Sequence, residues 1–178
     1  MQVYPGKSLV FFQASVREPS VGKKREEKES KEIVSPLNGK LFPIETVQDD
    51  VFAQQMMGQT IALEPLKGKD TLLSPADGVL EVMYPTGHAY AVKMKNGMGL
   101  LIHIGIDTVE LNGEGFTVLA KQGEKIKMGQ PIVDVDFDTL KAKGFDVSVM
   151  LIVTQNPGGE PIAFKQNMTV NAMESLVL

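Results

Sequence analysis

The sequence predicts an all-β domain, an antiparallel β-sandwich or barrel-sandwich with one or two very short helices. Three observations predict it. Valine, isoleucine and leucine fall in short runs punctuated by Gly, Pro, Asn and Asp, the pattern of strands and turns. Helix signals are confined to two brief stretches. And one turn motif occurs twice, which is how two related β-units would be written into a chain.

Residues 1–32 stand apart. The run "GKKREEKESKE" from Gly22 to Glu32 mixes charges and offers nothing apolar to bury. Residues 1–32 are therefore read as a tail and charged linker, and residues 33–178 as the folded domain. The duplicated motif opens that domain: "IVSPLNGKLFPI" (33–44) and "LLSPADGVLEVM" (72–83) share Ser-Pro-x-x-Gly followed by an apolar run. Between them "DDVFAQQMMG" reads as a short helix with Asp49 or Asp50 as N-cap and Gly58 as its stop. "GEKIKMGQPIVDVD" (123–136) adds two glycine-punctuated strands. "DTLKAKG" reads as a second short helix, capped by Asp138 and stopped by Gly144.

Composition narrows the function. The net charge of −4 argues against nucleic acid as the main partner, because that needs a basic face. The chain has no cysteine, so disulfides, thiolate metal sites and cysteine nucleophiles are excluded. No apolar run approaches the roughly 18 residues that span a bilayer, and "SLVFFQAS" (8–15) lacks the basic leader and cleavage site of a secretory signal. A cytoplasmic protein without membrane insertion is the expectation.

The chain has only 2 histidines, and both bound one segment, "HAYAVKMKNGMGLLIH" (88–103). Asn96-Gly97 predicts a type I′ hairpin, because that turn needs positive φ at both central residues. In that register Tyr90 faces His103, His88 faces Gly105 and Thr86 faces Asp107. The two imidazoles then share one face as diagonal neighbours, and Leu100, Ile102, Ile104 and Ile106 pack against Ala89 and Ala91 on the other. A slip of one residue would separate the histidines. Asp107 lies too far along a straight strand to touch His103, unless Gly105 bends the chain. Three chemistries can use such a pair: a metal site of His88, His103 and Asp107, general acid–base catalysis, and nucleophilic phosphoryl transfer through a neutral imidazole.

Residues 35 to 175 resemble the glucose-type IIA domain of the bacterial phosphoenolpyruvate-dependent sugar phosphotransferase system. The resemblance runs through "SPLNGKLFPIETVQDDVFAQQMMGQTIALEP", "LLSPADGVLEVMYPTGHAYAV", "LLIHIGIDTVELNGEGFTVLAKQGEKIKMGQPIVDVD" and "GGEPIAFKQNMTV", with "HIGIDTVELNGEGF" the most specific stretch. It implies an antiparallel β-sandwich of the duplicated hybrid motif kind, with both histidines in a shallow surface depression. It further implies that His103 is the phosphorylated nucleophile and that His88 steadies the phosphoryl group. Thr86 and Asp107 complete the implied site. Val51, Phe52, Tyr84, Tyr90, Leu101 and Val109 take the positions of an apolar ring that docks two proteins in turn. Those partners are HPr, the phosphoryl donor, and a sugar-specific IIB domain that accepts through a cysteine; regulated enzymes or transporters are further candidates. Two departures from the family pattern are Asp50, where an apolar residue is common, and Gly87, which replaces a larger residue beside His88. No cofactor is implied, although a non-essential zinc or other divalent ion could sit between His88 and His103. Lacking cysteine and membrane segments, the chain holds neither a working IIB nor a IIC. It is free-standing or the IIA part of a larger permease at the membrane.

Two other readings compete. A zinc-dependent hydrolase would use His88, His103 and Asp107, but lacks a His-x-His motif. A biotinyl-type carrier module would use "VKMK" (92–95) beside "GEKIKMGQ", in the reverse of that family's order.

Overall fold

A computed structural model describes residues 32–178. The tail and linker expected over residues 1–32 lie outside the described residues except for Glu32. Eleven strands and two short helices follow in the order β1 (Gly39–Phe42), α1 (Asp50–Ala53), β2 (Gln59–Pro65), β3 (Lys69–Leu73), β4 (Gly78–Met83), β5 (Ala89–Lys93), β6 (Gly99–Ile104), β7 (Phe116–Val118), β8 (Lys125–Ile126), β9 (Pro131–Asp136), α2 (Phe137–Ala142), β10 (Val149–Gln155) and β11 (Thr169–Val170). All pairings are antiparallel. An 8-stranded sheet runs β11-β1-β2-β10-β6-β5-β4-β8, and a 3-stranded sheet runs β3-β9-β7.

The sheets close on each other through alternation. Leu72, Val133 and Val135 of the smaller sheet meet Leu63, Leu80, Tyr90, Leu100, Ile102 and Leu151 of the larger in one buried cluster. A second, smaller cluster lies on the other face of the large sheet, where Ile44, Val47, Phe52, Ala62, Ile106, Met150 and Ile152 pack together. That satellite core lies beside His103, whose ring meets Phe52. Residues from β2 and β10 thus feed two cores, one per face, and both strands are accordingly buried in near-continuous runs rather than in alternation.

The duplicated turns meet each other. Ser35 Oγ donates to Leu37 O and Ser74 Oγ to Ala76 O, each at 2.7 Å. Val34 N–H donates to Pro75 O and Leu73 N–H to Pro36 O, both at 2.9 Å. Each turn therefore satisfies the backbone of the other, which is why neither unit is complete alone. The late chain repeats the exchange: Met173 N–H donates to Ser35 O and Gly129 N–H to Ser74 O.

The helices differ in detail from expectation. Asp49 caps α1, its Oδ1 accepting from Val51 N and Phe52 N at 2.9 and 3.2 Å. The helix ends at Ala53, ahead of Gly58, whose Cα packs so closely that a built Cβ would lie 2.1 Å from Val153 O. In α2 the cap is Asp136 rather than Asp138, because β9 runs straight into the helix and Asp136 Oδ1 is the oxygen that accepts Thr139 N–H. Gly144 follows α2 with φ +86°, the left-handed conformation that ends helices.

Candidate active site

The site begins with the hairpin β5–β6, whose register is one residue from that predicted. Ala89 faces His103, Tyr90 faces Ile102 and Val92 faces Leu100. The loop has three residues, not two. Gly97 N–H donates to Met94 O, Met94 N–H to Met98 O, and Gly97 alone takes positive φ (+83°) while Asn96 Oδ1 accepts from Met98 N–H. This is a type I turn closed by a G1 bulge, which Asn-Gly serves as well as a type I′ turn. Tyr90 and Val92, not Ala89 and Ala91, consequently share the main core with Leu100, Ile102 and Ile104, while Ile106 joins the satellite core.

The slip does not separate the histidines, because His88 lies outside the strand. It stands in the turn between β4 and β5, just after Gly87 at φ +77°, and is free of strand alternation. Gly87 has no room to be larger: a built Cβ would sit 2.8 Å from Phe116 Cβ on β7. From this turn the His88 ring reaches the His103 ring edge-to-face, with centroids 5.3 Å apart and planes at 77°. His88 O also accepts Ile104 N–H at 2.8 Å, tying the turn to the end of β6.

Each imidazole is oriented through Nδ1. Thr86 Oγ1 lies 2.6 Å from His88 Nδ1. His103 Nδ1–H donates to Gly105 O at 2.9 Å, so the lone pair of His103 resides on Nε2. Gly105 adopts φ +74° and Asp107 φ +57°, and this bend gives the carbonyl its reach back to the ring. Aromatic rings flank the pair on its outer sides: Phe52 lies tilted against His103 and Tyr84 against His88, both with centroids 5.0 Å apart. His88 is only 5% exposed and His103 is half-buried.

Burial sets the protonation state. Desolvation holds the His103 pKa below 6.5, against an upward pull from the Gly105 carbonyl and the charges of Asp49 and Asp107. Desolvation also lowers His88, and the neighbouring His103 lowers it further. Both rings are therefore neutral at pH 7, the form that can act as a nucleophile or as a hydrogen-bond donor without charge.

A depression above His103 is lined by Asp49, Val51, Phe52, His103, Asp107 and Val109. Of the sequence-proposed docking residues, Val51, Tyr84 and Val109 present surface, at 42%, 44% and 50% exposure. Phe52 is mostly buried under His103, and Leu101 is half-buried against the satellite core. Tyr90 cannot dock a partner. It is fully buried in the main core with its hydroxyl donating to Leu73 O at 2.8 Å, the consequence of the shifted register. Asp107 shares the depression and acts on His103 through charge; no hydrogen bond joins the two. Asp49 was legible in the sequence only as a cap, although it also borders the depression.

Among the described residues no group of three or more His, Asp or Glu side chains is disposed to hold a metal ion, so His88, His103 and Asp107 do not assemble as a zinc hydrolase would need. The "VKMK" stretch ends in the hairpin loop, with Met94 buried, Lys93 half-buried and bonded to Gln155, and Lys95 exposed. No described helix is long and apolar enough to cross a membrane.

Known proteins resemble this chain in sequence and fold. The family model for the phosphoenolpyruvate-dependent sugar phosphotransferase system, EIIA 1, matches residues 31–158. The glucose-specific EIIA component of Staphylococcus epidermidis is 36% identical over 157 residues, covering 88% of this chain and 93% of that one. Fused relatives include a glucose-specific EIICBA component of Staphylococcus carnosus, 36% identical over 146 residues that cover 82% of this chain and 21% of that protein. The solved glucose permease IIA from Mycoplasma capricolum superposes with a TM-score of 0.76 at 28% identity, covering 82% of this chain and 93% of that chain. The chain belongs to the EIIA 1 family of the phosphoenolpyruvate-dependent sugar phosphotransferase system, as one of its phosphocarrier components.

Proposed function

We propose that the chain accepts a phosphoryl group from phospho-HPr on Nε2 of His103 and passes it to a cysteine of a sugar-specific IIB domain. The observation that carries this reading is the hydrogen bond from His103 Nδ1–H to Gly105 O, which leaves the Nε2 lone pair free in a neutral ring. Acceptance forms the N–P bond at Nε2 while the bond to the donor breaks, its electron pair leaving with the donor. Donation reverses the roles: the IIB thiolate attacks phosphorus and the pair of the N–P bond returns to Nε2.

His88 serves the transferring group. With Thr86 Oγ1–H donating to Nδ1, the His88 proton sits on Nε2 and can be offered to the phosphoryl oxygens, where charge accumulates. Val51, Tyr84 and Val109 exclude water around the joined active sites, and the carboxylates of Asp49 and Asp107 at the rim suit basic residues of a donor. No cofactor is required. A zinc ion held by both histidines would need further donors from a partner, since no third described side chain completes a set. Exchange with HPr and with a IIB domain requires the protein to work on the cytoplasmic side, free or as part of a permease.

The test separates acceptance from donation. His88→Gln should be phosphorylated by phospho-HPr yet pass its phosphoryl group to IIB at least about tenfold more slowly than wild type. Onward transfer at the wild-type rate would remove His88 from the mechanism.

A further inference from the structure

Beyond the two histidines, one fully buried polar side chain is tied into the site without touching it. Thr108 is wholly inaccessible, and its Oγ1–H donates to Ile104 O at 2.5 Å. Its methyl packs on the other side of the same bend: a Cβ built on Gly105 would lie 2.4 Å from Thr108 Cγ2. One side chain therefore holds both the Ile104 carbonyl and the Gly105 Cα, two parts of the peptide unit that precedes the Gly105 carbonyl.

Both imidazoles depend on that bend. The Gly105 carbonyl takes the His103 Nδ1 proton, and the Ile104 N–H bonds His88 O. Gly105 N–H and Ile106 N–H are in turn fixed to Ser148 O and Asp146 O across the neighbouring segment. The backbone is thus pinned on its donor side by residues 146–148 and on its acceptor side, at Ile104 O, by Thr108. A carbonyl free to rotate would let the His103 proton exchange between Nδ1 and Nε2, and only the Nδ1–H form is nucleophilic at Nε2.

We propose that Thr108 is a positioning residue, whose buried hydroxyl locks the bend that carries the Gly105 carbonyl so that His103 holds a single tautomer. The inference deepens the phosphocarrier reading and rests on it, but its principal readout does not. In the full chain, the ring 15N shifts of His103 report the tautomer directly. Thr108→Val keeps shape and removes the hydroxyl; Thr108→Ser keeps the hydroxyl.

The Val variant should show a mixture of His103 tautomers. It should take phosphoryl from saturating phospho-HPr on the order of tenfold more slowly, with half-saturation unchanged. The Ser variant should recover the single tautomer and most of the rate. A Val variant with one tautomer and the wild-type rate overturns the proposal, even if its melting temperature falls. A Ser variant that behaves like Val also overturns it. Wild-type protein that accepts no phosphoryl group would instead refute the phosphocarrier reading, and the tautomer comparison would still decide the role of Thr108.

Discussion

At His103 the deciding feature is which nitrogen is free and whether the ring is charged. Both answers come from short-range physics: a carbonyl two residues on accepts the Nδ1 proton, and burial disfavours the imidazolium. The sign of the pH dependence follows. Both histidines have folded pKa values below 6.5, so between those values and 6.5 the unfolded chain binds more protons. Their contribution to stability is complete above the unfolded pKa and is lost as pH falls toward the folded values. Phosphoryl uptake should likewise stay level through neutral pH and decline only below 6.5. A pH profile of the uptake rate checks this, and a midpoint above 6.5 would contradict the desolvated environment. The residue identities were legible in the sequence because histidine is so scarce. The Gly105 acceptor was not, since a backbone carbonyl carries no sequence signature beyond the glycine that bends it.

At the level of elements, the site is built from ends and turns rather than from strand faces. His103 is the one functional ring that keeps strand alternation; His88 escapes it in the β4–β5 turn, and Phe52 arrives on a helix of four residues, Asp50–Ala53. This explains a sequence argument that reached the right neighbourhood by the wrong register. Asn96-Gly97 marks the loop, but two turn geometries accept that dipeptide, and the one adopted shifts every pair by one residue. Tyr90 moved into the core with it. Asp49 shows the element scale most directly, because it caps α1 and its charge raises the His103 pKa. Asp49→Ala should cost about 1 kcal/mol of stability through the lost cap and lower the His103 pKa further. Asp49→Asn should keep the cap and still lower the pKa. Denaturant unfolding and an NMR titration of His103 distinguish the two effects; equal pKa values in all three proteins would remove Asp49 from the electrostatics.

For the whole molecule, the repeat in the sequence becomes a reciprocal joint. The Ser-Pro turns at Ser35 and Ser74 exchange backbone hydrogen bonds and each is clamped by its own serine hydroxyl. The all-β class and the pairing of the two units were readable from spacing, because turn residues and duplicated motifs are local signals. The two-sheet closure and the separate satellite core were not, because they depend on which long-range partners β2 and β10 find. Ser35→Ala and Ser74→Ala should each destabilise by about 1 kcal/mol. The double variant should depart from additivity by roughly 0.5 kcal/mol or more, since the turns share partners. Strict additivity in denaturant unfolding would mean that the two units do not depend on each other.

In the proposed function this fold presents His103 as the phosphoryl acceptor. Intact mass after incubation with phosphoenolpyruvate, enzyme I and HPr tests it most directly, on wild type and on His103→Ala. A gain of one acid-labile phosphoryl group is expected in the wild type and none in the variant. Phosphorylated HPr beside an unmodified wild-type chain, or a His103→Ala variant labelled as fully as wild type, would contradict it.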